Sequence, residues 1–224
     1  MATVIERPST KNDAPEFTSP EPAMYFRLED ATWETYESVL EAAGDRPIYV
    51  TYDRGTLELM APSFEHESPK MLLDRTITVL AGEYRFKLVS SGSTTFKRKA
   101  KDQGFEPDQS YYLRSAEKLP RGKLNVGKGP PPDLAIEIDV YSGSLDRLPL
   151  YQTWGVREVW RYDGKSIEIL GLKKSGYRPL KESASFPGVT SAFLAEALER
   201  YDGDEIAWME EVRRLVRERL KPGR

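Results

Sequence analysis

A mixed β-sheet with helices packed on its faces is the fold class the sequence predicts, and three observations predict it. Short β-prone runs alternate with segments of helical periodicity along the chain. Two of the runs, Ile48 to Tyr52 and Thr56 to Met60, are joined by Asp53-Arg54-Gly55, the turn chemistry of a hairpin. A later run, PDLAIEIDV, alternates apolar and acidic residues with the period of a strand. At 224 residues with 39% hydrophobic content, the chain can build one sizeable core with tails.

Residues 1–22 are rich in Pro, Thr, Ser and charge and read as a disordered tail, with no apolar run fit for a signal peptide or membrane span. The main domain is expected over 23–203. In Thr32 to Ala43, Trp33, Tyr36, Val39 and Leu40 lay an apolar stripe on one helix face, capped by Asp30 or Thr32 and stopped by Gly44. After the hairpin, Met71, Leu72, Ile77, Val79 and Leu80 fit a long helix over Glu65 to Phe86, with Ser68 and Pro69 in its first turn. Strands follow at Lys87 to Ser90, Thr94 to Arg98 and Asp108 to Leu113. Arg114 to Pro132 is polar and rich in Gly, Pro and Lys, an exposed loop. Beyond it come a strand (Asp133 to Val140), a short helix (Leu145 to Trp154), two strands (Val156 to Tyr162 and Ile167 to Leu172) and helices from Ser191. A basic helix over 204–224 closes the chain. Gly155 to Trp160 has an architectural reading, a helix cap turning into a buried strand.

With no cysteine, the chain has no disulfide, zinc-thiolate site, thiol nucleophile or thiolate-held cluster, and a reduced cytoplasmic setting fits best. A net charge of −3 gives no global attraction to nucleic acid or to a membrane surface. Local attraction would have to come from Lys97, Arg98, Lys99 and Lys101, or from Arg213, Arg214, Arg217, Arg219, Lys221 and Arg224. The competing reading of both stretches is a solvated face.

In PDLAIEIDV, Leu134, Ile136, Ile138 and Val140 share one strand face, while Asp133, Glu137 and Asp139 share the other. Carboxylates so crowded repel one another, and Mg²⁺ or Mn²⁺, which prefer oxygen ligands, would resolve the conflict. The alternative is an edge strand with a polar outer face. Asp108, in FEPDQSYYL, opens another strand. Glu58 reads as an exposed strand residue.

The run GFEPDQSYYL, a polar loop, and then PPDLAIEIDVYSGSLDRLPLYQTWGVREVWRYDG resemble the Uma-two-type family of restriction endonucleases, as do GTLELMAPSFEHE and SSGSTTFKR earlier in the chain. The likeness spans Trp33 to Leu172. It implies a PD-(D/E)XK nuclease, an α/β fold with a restriction-endonuclease-like mixed sheet flanked by helices. By the resemblance, Asp108 and Glu137 match the two acids that hold Mg²⁺ (or Mn²⁺). The basic residue that the superfamily places two positions after the second acid is Asp139 here, a departure from the pattern. The family takes its basic group from the following helix, where Arg147 stands; its bland alternative is a surface pair with Asp146 or Glu158. His66 and Glu67 match a histidine and an acid of the family, although a lone histidine is also a common capping or packing residue. The implied function is metal-dependent hydrolysis of DNA phosphodiester bonds, with Asp139 and Glu67 positioning water or a second ion and Lys97, Arg98 and Lys99 on backbone phosphates. The alternative is a catalytically decayed nucleic-acid-binding module on the same fold. DNA is the expected partner, no membrane is expected, and a homodimer follows by analogy with nucleases that cut both strands.

Overall fold

The computed structural model describes residues 24–119, 129–140 and 144–220. The expected N-terminal tail, the middle of the polar loop, Lys221 and Arg224 lie outside them.

Two sheets stand where one was expected. The first is antiparallel, built from β1 (Met24–Leu28), β2 (Tyr49–Asp53), β3 (Thr56–Ala61), β5 (Phe96–Arg98) and β6 (Gln103–Phe105) in the order β1-β3-β2-β6-β5. The second holds β4 (Val89–Ser90), β7 (Gln109–Tyr112), β8 (Leu134–Ile138), β9 (Glu158–Tyr162), β10 (Ile167–Lys173) and β11 (Gly176–Pro179) in the order β11-β10-β9-β8-β7-β4. It is mixed: β8 and β9 run parallel across a connection that carries α3 (Leu148–Trp154), and the other neighbours pair antiparallel. A parallel pair needs such a crossover, whereas hairpins suffice elsewhere.

The first helix, α1 (Trp33–Ala43), forms as the periodicity predicts. The Thr32 side chain accepts from the Thr35 N–H and Gly44 ends the helix. It packs Trp33 and Tyr36 on Val50, Tyr52 and Leu57 of the antiparallel sheet. Gly104 of β6 leaves the space that the Tyr36 ring fills. The long helix α2 runs Phe64–Tyr84, so Pro69 falls in its second turn rather than its first. With α4 (Ser191–Glu199) and α5 (Glu205–Leu215), α2 covers one face of the mixed sheet, where Leu134, Ile136 and Ile138 point. On the opposite face α3 and the β5–β6 hairpin enclose Ala135, Leu150, Tyr151, Phe96 and Phe105.

The strand β8 is therefore central and buried along its whole length, not an edge with a polar side. Its flanking acids have separate roles. Asp133 accepts from the N–H groups of Leu113 and Ser115, both at 2.8 Å, and from the Ser115 hydroxyl, which holds the loop after β7. Only Glu137 lies within the strand.

The C-terminal helix α5 is built into the core through Trp208, Val212 and Leu215. The basic residues of α5 and of the turn that follows it pair with acids of the chain: Arg213 and Arg217 with Glu83, Arg214 with Glu211 and Glu218, and Arg219 with Glu196. Among the described residues, no helix is long and apolar enough to cross a membrane.

Candidate active site

Asp108 directly precedes β7, and β7 pairs with β8 so that Gln109 faces Ile136. One residue beyond that ladder, the Asp108 carboxylate takes the Ile138 N–H at 2.7 Å through Oδ2. This contact fixes Asp108 beside Glu137 at the end of the strand pair. Both side chains are buried.

The face of β8 that carries Glu137 meets α3. Arg147 is the residue just before α3, and Tyr151 lies one turn further on, so the four-residue spacing puts both side chains over Glu137. Arg147 donates from Nη1 to Glu137 Oε2 at 2.9 Å, and the same nitrogen stands 3.7 Å from Asp108 Oδ1. The Tyr151 hydroxyl donates to Glu137 Oε1. The alternative, a surface pair of Arg147 with Asp146 or Glu158, is not what forms: Arg147 is buried, and Glu158 accepts from Trp160 Nε1, the Ser183 and Ser185 hydroxyls and the Ser185 N–H.

Burial pushes the Glu137 carboxyl up to about 7, against the pull of the Arg147 guanidinium and with the charge of Asp108 adding to the rise. Burial likewise raises the Tyr151 hydroxyl well above the ordinary range, so it remains a donor. Asp108 Oδ1 is a buried carboxylate oxygen that accepts no hydrogen bond.

From the other side, the first turns of α2 bring in His66, Glu67 and Lys70. The imidazole is fully buried, its Nε2 standing 3.2 Å from Asp108 Oδ2 without the alignment of a hydrogen bond, and its Nδ1 3.1 Å from Glu67 Oε1. Burial opposes charge on this ring, but Asp108 and Glu67 outweigh it and raise the imidazole to about 9. Lys70 bonds both Glu67 and the Tyr49 hydroxyl.

The cleft that opens over Glu137 and Arg147 is lined also by Tyr25, Met60, Asp139 and Arg161. Burial pushes the Tyr25 hydroxyl up to about 12; Arg147 opposes this while Asp108, Asp139 and Glu58 add to it, which marks all four as its electrostatic neighbours. Asp139 lies past the end of β8, where its carboxylate accepts from the Ser144 hydroxyl at 3.0 Å.

Four of these residues escaped the sequence reading in their roles. Tyr151 carried a signal, its helical spacing from Arg147. Lys70 carried one too, three residues after Glu67. Tyr25 sits on a strand that the sequence reading did not foresee. Glu58 was expected to be exposed and is buried, with Oε2 accepting from Arg27 and from the Leu145 N–H, both at 2.8 Å, and Oε1 unpartnered. Within β3, Glu58 points to the face opposite Leu57 and Leu59. That face, however, looks onto the segment leading into α3 rather than onto water.

Lys97, Arg98 and Lys99 belong to the opposite end of the antiparallel sheet. Lys97 pairs with Glu37 at 3.2 Å and Lys99 with Glu34 at 2.8 Å on α1, and the Arg98 guanidinium lies 4.9 Å from the centre of the Trp154 ring. Both lysines remain partly or largely exposed. The structure thus gathers Asp108, Glu137, Arg147, His66 and Glu67 into one contiguous group, sets Asp139 at its rim, and keeps the three basic residues of β5 and its following turn apart from it.

No curated protein matches this chain. A solved structure described as a "putative nuclease belonging to DUF820", from Anabaena variabilis ATCC 29413, aligns with a TM-score of 0.51 at 12% identity, over 78% of this chain and 98% of that one. At that identity the likeness is one of fold. The family model Uma2, described as "Putative restriction endonuclease", matches residues 33–199. Because that match takes in both strands that position Asp108 and Glu137, the α2 turn of His66 and the Arg147 helix, the chain belongs to the Uma2 family.

Proposed function

We propose that the protein is a metal-dependent endonuclease that hydrolyses phosphodiester bonds of DNA, acting inside the cell and, for cleavage of both strands, as a homodimer. The observation that carries this reading is the pairing of Asp108 and Glu137 at the ends of adjacent strands, buried, sharing one guanidinium, with Asp108 Oδ1 left without a partner. Two carboxylates and an unsatisfied oxygen fit Mg²⁺ or Mn²⁺, which take hard oxygen donors and complete their shell with water and substrate phosphate. Asp108 and Glu137 would hold the ion. When bound, it supplies Lewis-acid polarisation of the phosphate and neutralises charge developing there.

The chain's own residues supply the rest. Arg147 stays charged at every accessible pH, so it acts as a donor to the phosphate and not as a base. Tyr25, held protonated in the cleft, is a second donor. His66 orients Asp108, Glu67 orients His66, and Lys70 holds Glu67. Asp139, with Ser144, stands at the rim as the acceptor that orients water. Lys97, Arg98 and Lys99 would add contacts to backbone phosphates, exchanging weak surface pairs for them.

Incubation of supercoiled plasmid with Mg²⁺ or Mn²⁺ tests the proposal. Nicking or linearisation is expected from the native protein and is expected to vanish in Asp108→Ala and Glu137→Ala. A second reading, a nucleic-acid-binding module without catalysis, is favoured by Asp139 in the place of the usual lysine. Plasmid binding without metal-dependent cutting would select it.

A further inference from the structure

We infer that Arg147 is a resident cation that competes with the divalent ion for Asp108 and Glu137, so that the ion and a phosphodiester enter the site cooperatively. This rests on the nuclease reading above. Three observations lead to it. Among the described residues, no three His, Asp or Glu side chains converge as a ready-made metal-ligand set. The position between Asp108 Oδ1 and Glu137 Oε2 is taken by one guanidinium nitrogen, at 3.7 and 2.9 Å. The guanidinium leaves bonding capacity unused there: its buried Nε has no partner and Asp108 Oδ1 receives no hydrogen bond.

Counted by themselves, the two carboxylates, when ionised, and the guanidinium between them carry a single net negative charge. The carboxylates would carry two if the guanidinium left. Placing a divalent ion beside a buried guanidinium is unfavourable, because like charges in a poorly solvated place repel strongly. Moving Arg147 away without a new partner is unfavourable for the same reason.

A phosphate resolves both conflicts. Its oxygens match the planar fork of arginine, and its negative charge offsets the ion's arrival. Arg147 also lines the open cleft, where Tyr25 and Arg161 supply further donors to an anion. Because such coupling is reciprocal, whatever tightens the ion on the phosphate also tightens the phosphate on the ion.

Calorimetric titration with Mn²⁺ on the full chain, without nucleic acid, tests the competition in the native protein, Arg147→Lys, Arg147→Gln and Arg147→Gln/Asp108→Asn. Lysine keeps the charge but not the fork, so it separates a blocked seat from a general change of field. The native protein is expected to bind Mn²⁺ weakly, Arg147→Gln at least roughly tenfold more tightly, and Arg147→Lys between them. Adding Asp108→Asn is expected to abolish the gain. A phosphorothioate duplex, which resists cutting, is expected to tighten Mn²⁺ on the native protein and to have little effect on Arg147→Gln.

Equal affinity in the native protein and both single variants overturns the inference. So does a gain confined to Arg147→Gln, or an absence of Mn²⁺ binding throughout. If Arg147→Gln does not fold, Arg147→Lys decides alone. Plasmid cutting reports separately: a native protein that cuts while its variants bind Mn²⁺ no better retains the nuclease reading and loses this inference. A protein that never cuts but gains Mn²⁺ affinity on substitution does the reverse.

Discussion

His66 Nε2 and Asp108 Oδ2 stand 3.2 Å apart with both side chains fully buried, which joins the first turn of α2 to the strand that opens the site. The imidazole, disfavoured by burial but held charged by Asp108 and Glu67, is raised from 6.5 to about 9. A group whose folded value lies above its unfolded one stabilises fully below the unfolded value and loses that contribution as pH rises through the folded one. Stability contributed by His66 is therefore full below about 6.5 and fades by about 9, on the order of 3 kcal/mol across the window. Urea denaturation of the native protein and His66→Gln at pH 6 and pH 9.5 checks it. The native protein is expected to lose more stability between the two than the variant does. Equal losses would show that this ring carries no linked proton.

Tyr151→Phe removes one hydroxyl and nothing else from the buried group of Glu137, Arg147 and Tyr151. Glu137 Oε1 then lies without its donor in an interior already unfavourable to its charge. Loss of a hydrogen bond to a charged group costs about 1.5–3 kcal/mol, and the Glu137 carboxyl is expected to rise above its present value near 7. Denaturant titration reads the first effect. The second is read from the pH profile of plasmid cutting, whose acidic limb is expected to move to higher pH while the alkaline limb stays in place.

Glu158 offers the contrast of a buried carboxylate with no chemistry. Its two oxygens accept from Trp160 Nε1, Ser183 Oγ, Ser185 N and Ser185 Oγ at 2.6–2.9 Å, tying β9 to the segment before α4. Glu158→Ala leaves these donors unpaired in the core and is expected to cost about 3–5 kcal/mol. Glu158→Gln, which keeps an acceptor, is expected to cost less. Any Glu158→Gln protein that folds is expected to cut plasmid at the native rate per folded molecule, with the folded fraction measured by circular dichroism.

The strands and helices that the sequence made legible are those whose side chains alternate or recur strongly enough to announce a buried face. Thr32 to Ala43 and the Asp53-Arg54-Gly55 turn are of this kind. β1 was not legible, because MYFRL is short and Met24 and Phe26 remain largely exposed, so no burial pattern marks it. Nor could alternation show that the second face of β3 is covered, since the cover is the chain entering α3, more than eighty residues later. The same limit governed the site. Asp108, Glu137 and Arg147 came from family resemblance, and no spacing in the sequence shows that Arg147 reaches across α3 to both acids. Asp133 and Asp139 were read with Glu137 as one acidic face, and the structure separates them because the strand proper runs only from Leu134 to Ile138.

Lys97 and Lys99 are tied to α1 only by exposed ion pairs, with Glu37 and Glu34. Pairs of that kind contribute little to stability, so replacing both lysines by alanine is expected to leave the denaturation midpoint nearly unchanged. Their effect on DNA binding is expected to be larger if they contact phosphate. Each phosphate contact on duplex DNA steepens the salt dependence of binding by roughly 0.9, so loss of both lowers the slope of log affinity against log salt by about 1.8. Fluorescence anisotropy with a duplex, in Ca²⁺ and over a range of NaCl concentrations, measures that slope. An unchanged slope would assign both lysines to the solvated face that their pairing with α1 already describes, and would move the phosphate path to the cleft bounded by Tyr25 and Arg161.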